Sequence, residues 1–231
     1  MKEKIKKFIL DLFFPKFCLS CKKEGAFLCE DCEALLKISS LHRRYRTENL
    51  SDLYFALEYK SPLIKKIIQL FKYQPFAKEL SIVLSKLIIN HFQLIENPPL
   101  FLRKKLDYII IPIPLSKRKL RWRGFNQAEE IGIELSRILK IPIIKGVLTK
   151  EKDSLPQVEL SEKGRRKNIL GTFAYQNQKN LLGKKVLLVD DIYTTGSTME
   201  EAAKTLIKAG AKEVIGIVVA RAKVGEDKLE K

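Results

Sequence analysis

The chain has 231 residues and a formal net charge of +17, with 45% hydrophobic and 31% charged residues. That apolar share excludes a disordered chain, and the length allows one large domain, or one domain with a small appendage. So much positive charge fits polyanionic partners, but it equally fits lysine-covered solvated faces, because the lysines are spread along the chain instead of forming one block.

No stretch reaches the roughly 18–20 uninterrupted apolar residues that a membrane helix needs. Ile5, Phe8, Ile9 and Leu12 recur at helical spacing among lysines. This predicts a short amphipathic helix packed on the rest of the chain, with contact to an anionic membrane surface as the alternative. The apolar run is broken by Asp11 and no small-residue cleavage site follows, so it does not read as a signal peptide and the chain is expected in the cytoplasm.

Pro15 breaks the helical pattern, and all four cysteines follow as Cys18-x-x-Cys21, seven residues, then Cys29-x-x-Cys32. Each pair can present two thiolates to one ion, and four thiolates make the closed tetrahedral shell of a structural zinc site with no position open for catalysis. A segment this small has little core, so metal binding would supply its folding energy. A disulfide pair in an exported domain and a redox-active pair are the alternatives.

Residues 33–50, with Arg43, Arg44 and Arg46, read as a linker. Leu53–Tyr59 suggests a short strand. From Ser61, the spacing of Leu63, Ile64, Ile67, Ile68 and Phe71 predicts an amphipathic helix, and a second runs from about Pro75 to Phe92 before Pro98–Pro99. Asp107–Pro114 is an apolar, β-branched run of the kind buried on both faces of a parallel sheet. A basic loop and a helix over about Asn126–Leu139 follow. Strands are expected at Ile141–Leu148, Gly171–Tyr175, Lys185–Val189 and Val214–Ala220, with a helix over Thr198–Lys208, a cap at Gly210 and a charged tail after Lys223. Strands alternating with helices point to βαβ units and a Rossmann-like parallel sheet. The domains read as residues 1–50 (helix, zinc module and linker), 51–104 (helical intermediate segment) and 105–231 (the α/β domain).

The richest segment is Val186–Thr198. A buried strand ends in Asp190 and Asp191, and Thr194, Thr195, Gly196, Ser197 and Thr198 lead into a helix. Backbone N–H groups and hydroxyls at a helix N-terminus suit a phosphate, while paired carboxylates suit ribose hydroxyls or a magnesium ion. Together they describe a ribose 5-phosphate. The run Val-Asp-Asp-x-x-Thr-Thr-Gly-x-Thr resembles the phosphoribosyl-pyrophosphate (PRPP) motif of type I phosphoribosyltransferases. That resemblance implies that Asp190 and Asp191 hold the 2- and 3-hydroxyls, and that Thr194–Thr198 cradle the 5-phosphate.

Lys117, Arg118, Lys119, Arg121 and Arg123 surround Trp122 in the basic loop after Asp107–Pro114. In the fold that the resemblance implies, this loop grips pyrophosphate. The same mixture could track single-stranded nucleic acid and stack a base, or be a solvated loop. Between two expected strands lie Gln157, Leu160, Ser161, Arg165, Asn168, Gly171 and Phe173. Type I enzymes carry a closing catalytic hood there, which makes Arg165 the catalytic candidate, with Arg166 or Lys167 assisting and Asn168 pinning the loop base.

The cysteine knuckle, the Pro112-x-Pro114 loop ending in Arg123-Gly124-Phe125-Asn126-Gln127, the Gln157…Phe173 segment and Ala220-Arg221 together resemble the competence protein F family. A departure lies at Lys72-Tyr73-Gln74-Pro75, where the family continues Lys with a glycine-containing turn, so a role for Lys72 stays open. The resemblance implies structural zinc, magnesium with PRPP, and assistance to single-stranded DNA uptake in natural transformation, beside uptake proteins at the inner membrane. A working phosphoribosyltransferase on an unidentified acceptor and a PRPP-sensing regulator without turnover are the alternatives.

Overall fold

The computed structural model describes residues 15–73, 77–103, 107–151, 171–176 and 180–222. The expected N-terminal helix, Arg165 with the rest of 157–168, and the tail after Lys223 lie outside these residues.

Four strands form one parallel sheet: β1 (Asp52–Glu58), β2 (Tyr108–Pro112), β5 (Lys185–Tyr193) and β6 (Glu213–Arg221), in the order β1-β6-β5-β2. Their near-continuous apolar sequences follow from burial on both faces. Alternate residues of β5 divide accordingly: Leu187 and Val189 join one core, Val186 and Leu188 the other. The first core is closed by α2 (Pro62–Tyr73), α3 (Leu80–Leu94) and α5 (Gln127–Leu139), and the second by α6 (Ser197–Lys208). A three-layer α/β/α domain results. Because β1 pairs with β6, the sheet begins before residue 105, where the sequence pattern changes. Among the described residues no helix is long and apolar enough to cross a membrane.

Two expectations need correction. The basic stretch is not a loop: Lys117–Arg123 forms the helix α4, capped at its start by Ser116 Oγ, which accepts from the Lys119 N–H, and closed by Gly124 at φ 79°. Both are ordinary helix boundary signals. Nor is Ile141–Leu148 one strand. Pro142 lacks an N–H donor, and pairing here is limited to a parallel bridge between Ile143 and Ile110 beyond β2. The chain then turns at Gly146 (φ 75°), and β3 (Leu148–Lys150) pairs antiparallel with β4 (Phe173–Tyr175).

The cysteine segment, with its short helix α1 (Glu30–Ala34), sits on the first core. Cys18, Leu28 and Cys32 pack into the same cluster as Tyr54, Ile64 and Ile68. Glu33 pairs with Lys86 of α3 at 3.0 Å, and Lys16 pairs with Glu79.

Close packing of α6 depends on Gly216 in β6. A Cβ there would stand 2.6 Å from Met199 Sδ and 2.7 Å from Leu53 Cδ1. Gly216→Val is expected to destabilise the fold by about 1–3 kcal/mol in urea denaturation. An unchanged midpoint would show that α6 is free to back away from the sheet.

Candidate functional site

The connection from β2 runs through α5 on one face of the sheet, whereas that from β5 runs through α6 on the other. A crevice therefore opens at the carboxyl ends of β2 and β5, the place where open α/β sheets bind ligands. It has a volume of about 200 Å³ and is lined by Ile113–Leu115 after β2 and by Asp190–Thr194 at the end of β5.

Asp190 and Asp191 both line this crevice. The Asp191 N–H donates to Asp190 Oδ1 at 2.8 Å. Across the crevice, Lys72 Nζ from the last turn of α2 lies 2.9 Å from Asp191 Oδ2. Burial works against the Lys72 charge, but Asp191 and then Asp190 hold its ammonium above the ordinary range. Asp190 is raised above an ordinary carboxylate: burial first, then the charge of Asp191, take it to about 7 despite Lys72. Burial deprives the two adjacent carboxylates of water, and a set of hydroxyl donors or a bound cation would replace it.

The loop after β5 is fixed by Gly196. Its φ is +79°, and a Cβ would fall 2.1 Å from Tyr193 Oη, so no other residue fits without rebuilding the turn. The five loop positions do not all face one way. Thr194, Gly196 and Thr198 line the crevice with the aspartates, whereas Thr195 and Ser197, 3.0 Å apart, line a neighbouring cleft with Tyr45, Thr47 and Glu200.

Of the basic set, Lys119 and Arg123 reach the crevice, where Lys72 and Lys150 join them; Lys117, Arg118 and Arg121 do not line it. Arg123 Nη1 donates to Gln127 Oε1 at 2.9 Å, and Asn126 ties the turn to the strand by donating to the Ile113 carbonyl at 3.0 Å. Lys72 and Lys150 are the residues that sequence reasoning left without a role. The signal for Lys72 was its place in the last turn of an amphipathic helix; nothing local marked Lys150.

In the N-terminal segment, the Sγ atoms of Cys18, Cys21, Cys29 and Cys32 all lie within 4.8 Å of one another. Tetrahedral zinc with Zn–S bonds of about 2.3 Å spaces its sulfurs by about 3.8 Å, so the cluster could hold that ion. Burial alone would raise the Cys18 thiol, but backbone N–H groups of Cys29, Cys21 and Ser20 bring it down to about 6.

Residues 126–231 match the family described as phosphoribosyl transferase domain. With its parallel sheet and crevice, the domain has the type I phosphoribosyltransferase fold. Competence protein F of Haemophilus influenzae is 40% identical over 111 residues, covering 48% of each chain. DNA utilization protein YhgH of Escherichia coli O157:H7 is 35% identical over 105 residues, 46% of this chain and 45% of its own. Competence protein ComFC of Streptococcus pneumoniae is 28% identical over 205 residues, 85% of this chain and 77% of its own. The chain matches about half the length of the first two. It is a relative of the competence protein F and ComFC proteins.

The Asp190 value carries a sign. Its folded-state value of about 7 lies above the ordinary 3.8, so the folded protein holds this proton where the unfolded chain has lost it. The stability it contributes is complete below about pH 4 and is lost as pH rises through about 7. Asp190→Asn should therefore equal wild type near pH 4 and exceed it in stability at pH 8. Urea denaturation at both values checks this, and equal stabilities at pH 8 would mean that the carboxylate is not strained.

Proposed function

We propose that the chain binds magnesium-PRPP in the crevice and handles single-stranded DNA on the adjoining basic surface. The single observation that carries the first half is the meeting of Asp190 and Asp191 with Lys72, Lys119, Arg123 and Lys150 around one crevice. A sugar diol flanked by phosphates has the complementary chemistry. Hydroxyls donate to the carboxylates, and charged oxygens meet ammonium and guanidinium groups. Thr194, Gly196 and Thr198, at the start of α6, would take the 5-phosphate. Lys119 and Arg123 would take the pyrophosphate, whose charge a bound magnesium ion would help to neutralise. Lys72 would exchange its bond to Asp191 for a phosphate oxygen as the diol arrives.

DNA handling rests on the relatives' names and on the five cations of α4. A polyanionic backbone is drawn to such a surface by counterion release. The cysteine cluster, as a zinc site, would stiffen the module that closes the first core.

Calorimetric titration of magnesium-PRPP into wild type and an Asp190→Asn/Asp191→Asn variant tests the crevice. The expected loss in the variant is tenfold or more, corresponding to at least one lost charge-assisted hydrogen bond at about 1.5–3 kcal/mol. Equal affinity, or no binding to wild type, would remove the ribose-phosphate assignment. A parallel titration with single-stranded DNA tests the basic surface.

For the metal, elemental analysis should find one zinc per chain. Chelation should lower the melting temperature, because Cys18 and Cys32 are also core residues. A metal-free chain that melts at the same temperature would leave the cysteines as ordinary core and surface side chains.

A further inference from the structure

Helix α4 is unusual in its charge and its exposure. Its sequence KRKLRWR holds five cations and no carboxylate, and none of its residues is buried. Lys117, Arg118 and Lys119 occupy the first turn, where the helix dipole disfavours positive charge. The carboxylates that follow in the chain, Glu129 and Glu130, pair with Lys145 at 3.0 Å and Lys78 at 2.9 Å. Helix stability does not account for this composition.

On the same helix Trp122 is 68% exposed, and it meets Tyr73, 57% exposed, at the end of α2. The ring centroids are 5.6 Å apart at 63°, edge to face. Arg123 stands over the Tyr73 ring at 5.4 Å, while its guanidinium also bonds Gln127 in the crevice wall. Single exposed aromatics are ordinary, but here two elements distant in sequence each contribute one to the same spot. Beneath them Phe71 and Phe125, both buried, pack at 5.5 Å and fix α2 against the turn after α4. The pair is thus held beside Lys72 and Arg123, which line the crevice.

We infer that Tyr73 and Trp122 form a stacking platform for a base of single-stranded DNA, with the cations of α4 holding the phosphates on either side. The inference rests on the DNA-handling reading and adds the residues that contact the bases. Aromatic faces bind every base, and a cationic groove follows the backbone, so the platform takes single strands without regard to sequence and rejects duplexes, whose bases are already stacked. Through Arg123, a stacked base lies next to the aspartate crevice, so one end of the strand faces the bound sugar phosphate.

Trp122 is the single tryptophan of the chain, so its emission reports on this spot alone. Thymidine oligomers should bind at low salt, as read by fluorescence polarisation, and should quench Trp122. An abasic oligomer of equal length should bind more weakly and leave the emission unchanged. Trp122→Ala and Tyr73→Ala should each weaken thymidine binding on the order of tenfold, with Trp122→Phe close to wild type. Binding without quenching, and with full affinity in both alanine variants, overturns the platform while leaving DNA handling intact. No binding of any oligomer at low salt removes both. Equal binding and equal quenching by the abasic oligomer also overturns the platform, because the bases would then contribute nothing.

Discussion

The construction of the site turns on placing two adjacent carboxylates, Asp190 and Asp191, at the end of a central strand. A pair of this kind in a half-buried crevice is unfavourable unless opposite charge is brought to it. The fold supplies Lys72 from α2, 2.9 Å from Asp191. That one contact joins a helix on one face of the sheet to the strand end that borders the crevice. Burial first, and then the charge of Asp191, still raise the Asp190 carboxyl to about 7, while the two aspartates hold the lysine ammonium above its ordinary range.

The remaining geometry serves to keep the carboxylate pair open to solvent at one side. The crossovers after β2 and β5 leave on opposite faces, so among the described residues neither crossover helix covers the strand ends between them. Gly196 keeps the loop after β5 tight beside the Tyr193 ring, and Gly216 lets α6 approach the sheet closely. The start of α6 is thereby set beside the carboxylates by backbone constraints as well as by side-chain contacts.

Much of this was legible in the sequence because it is local. The buried strands announced themselves by continuous apolar runs, the cysteine knuckle by its spacing, and the aspartate pair with its hydroxyl loop by contiguity. What escaped was non-local or depended on competing signals. Lys72 reaches Asp191 only after α2 has packed across the sheet, and no periodicity encodes that. Helix α4 was read as a loop because cations dominate it, although Ser116 and Gly124 mark its ends. The five positions Thr194–Thr198 look equivalent on paper, but helix entry rotates successive residues. Thr195 and Ser197 therefore face a different cleft from Thr194 and Thr198.

The even spread of lysine along the chain, ambiguous by itself, acquires a meaning once the chain is folded. The cations around the crevice come from α2, α4 and β3, three elements well separated in sequence, so a basic site exists in space where no basic block exists in the chain. The local concentration in α4 adjoins that crevice and shares Arg123 with it. Its N-terminal cations act against its own helix dipole, and its exposed tryptophan contributes no buried area to the core. On the proposed reading, a polyanion carrying flat rings would meet both features of this helix.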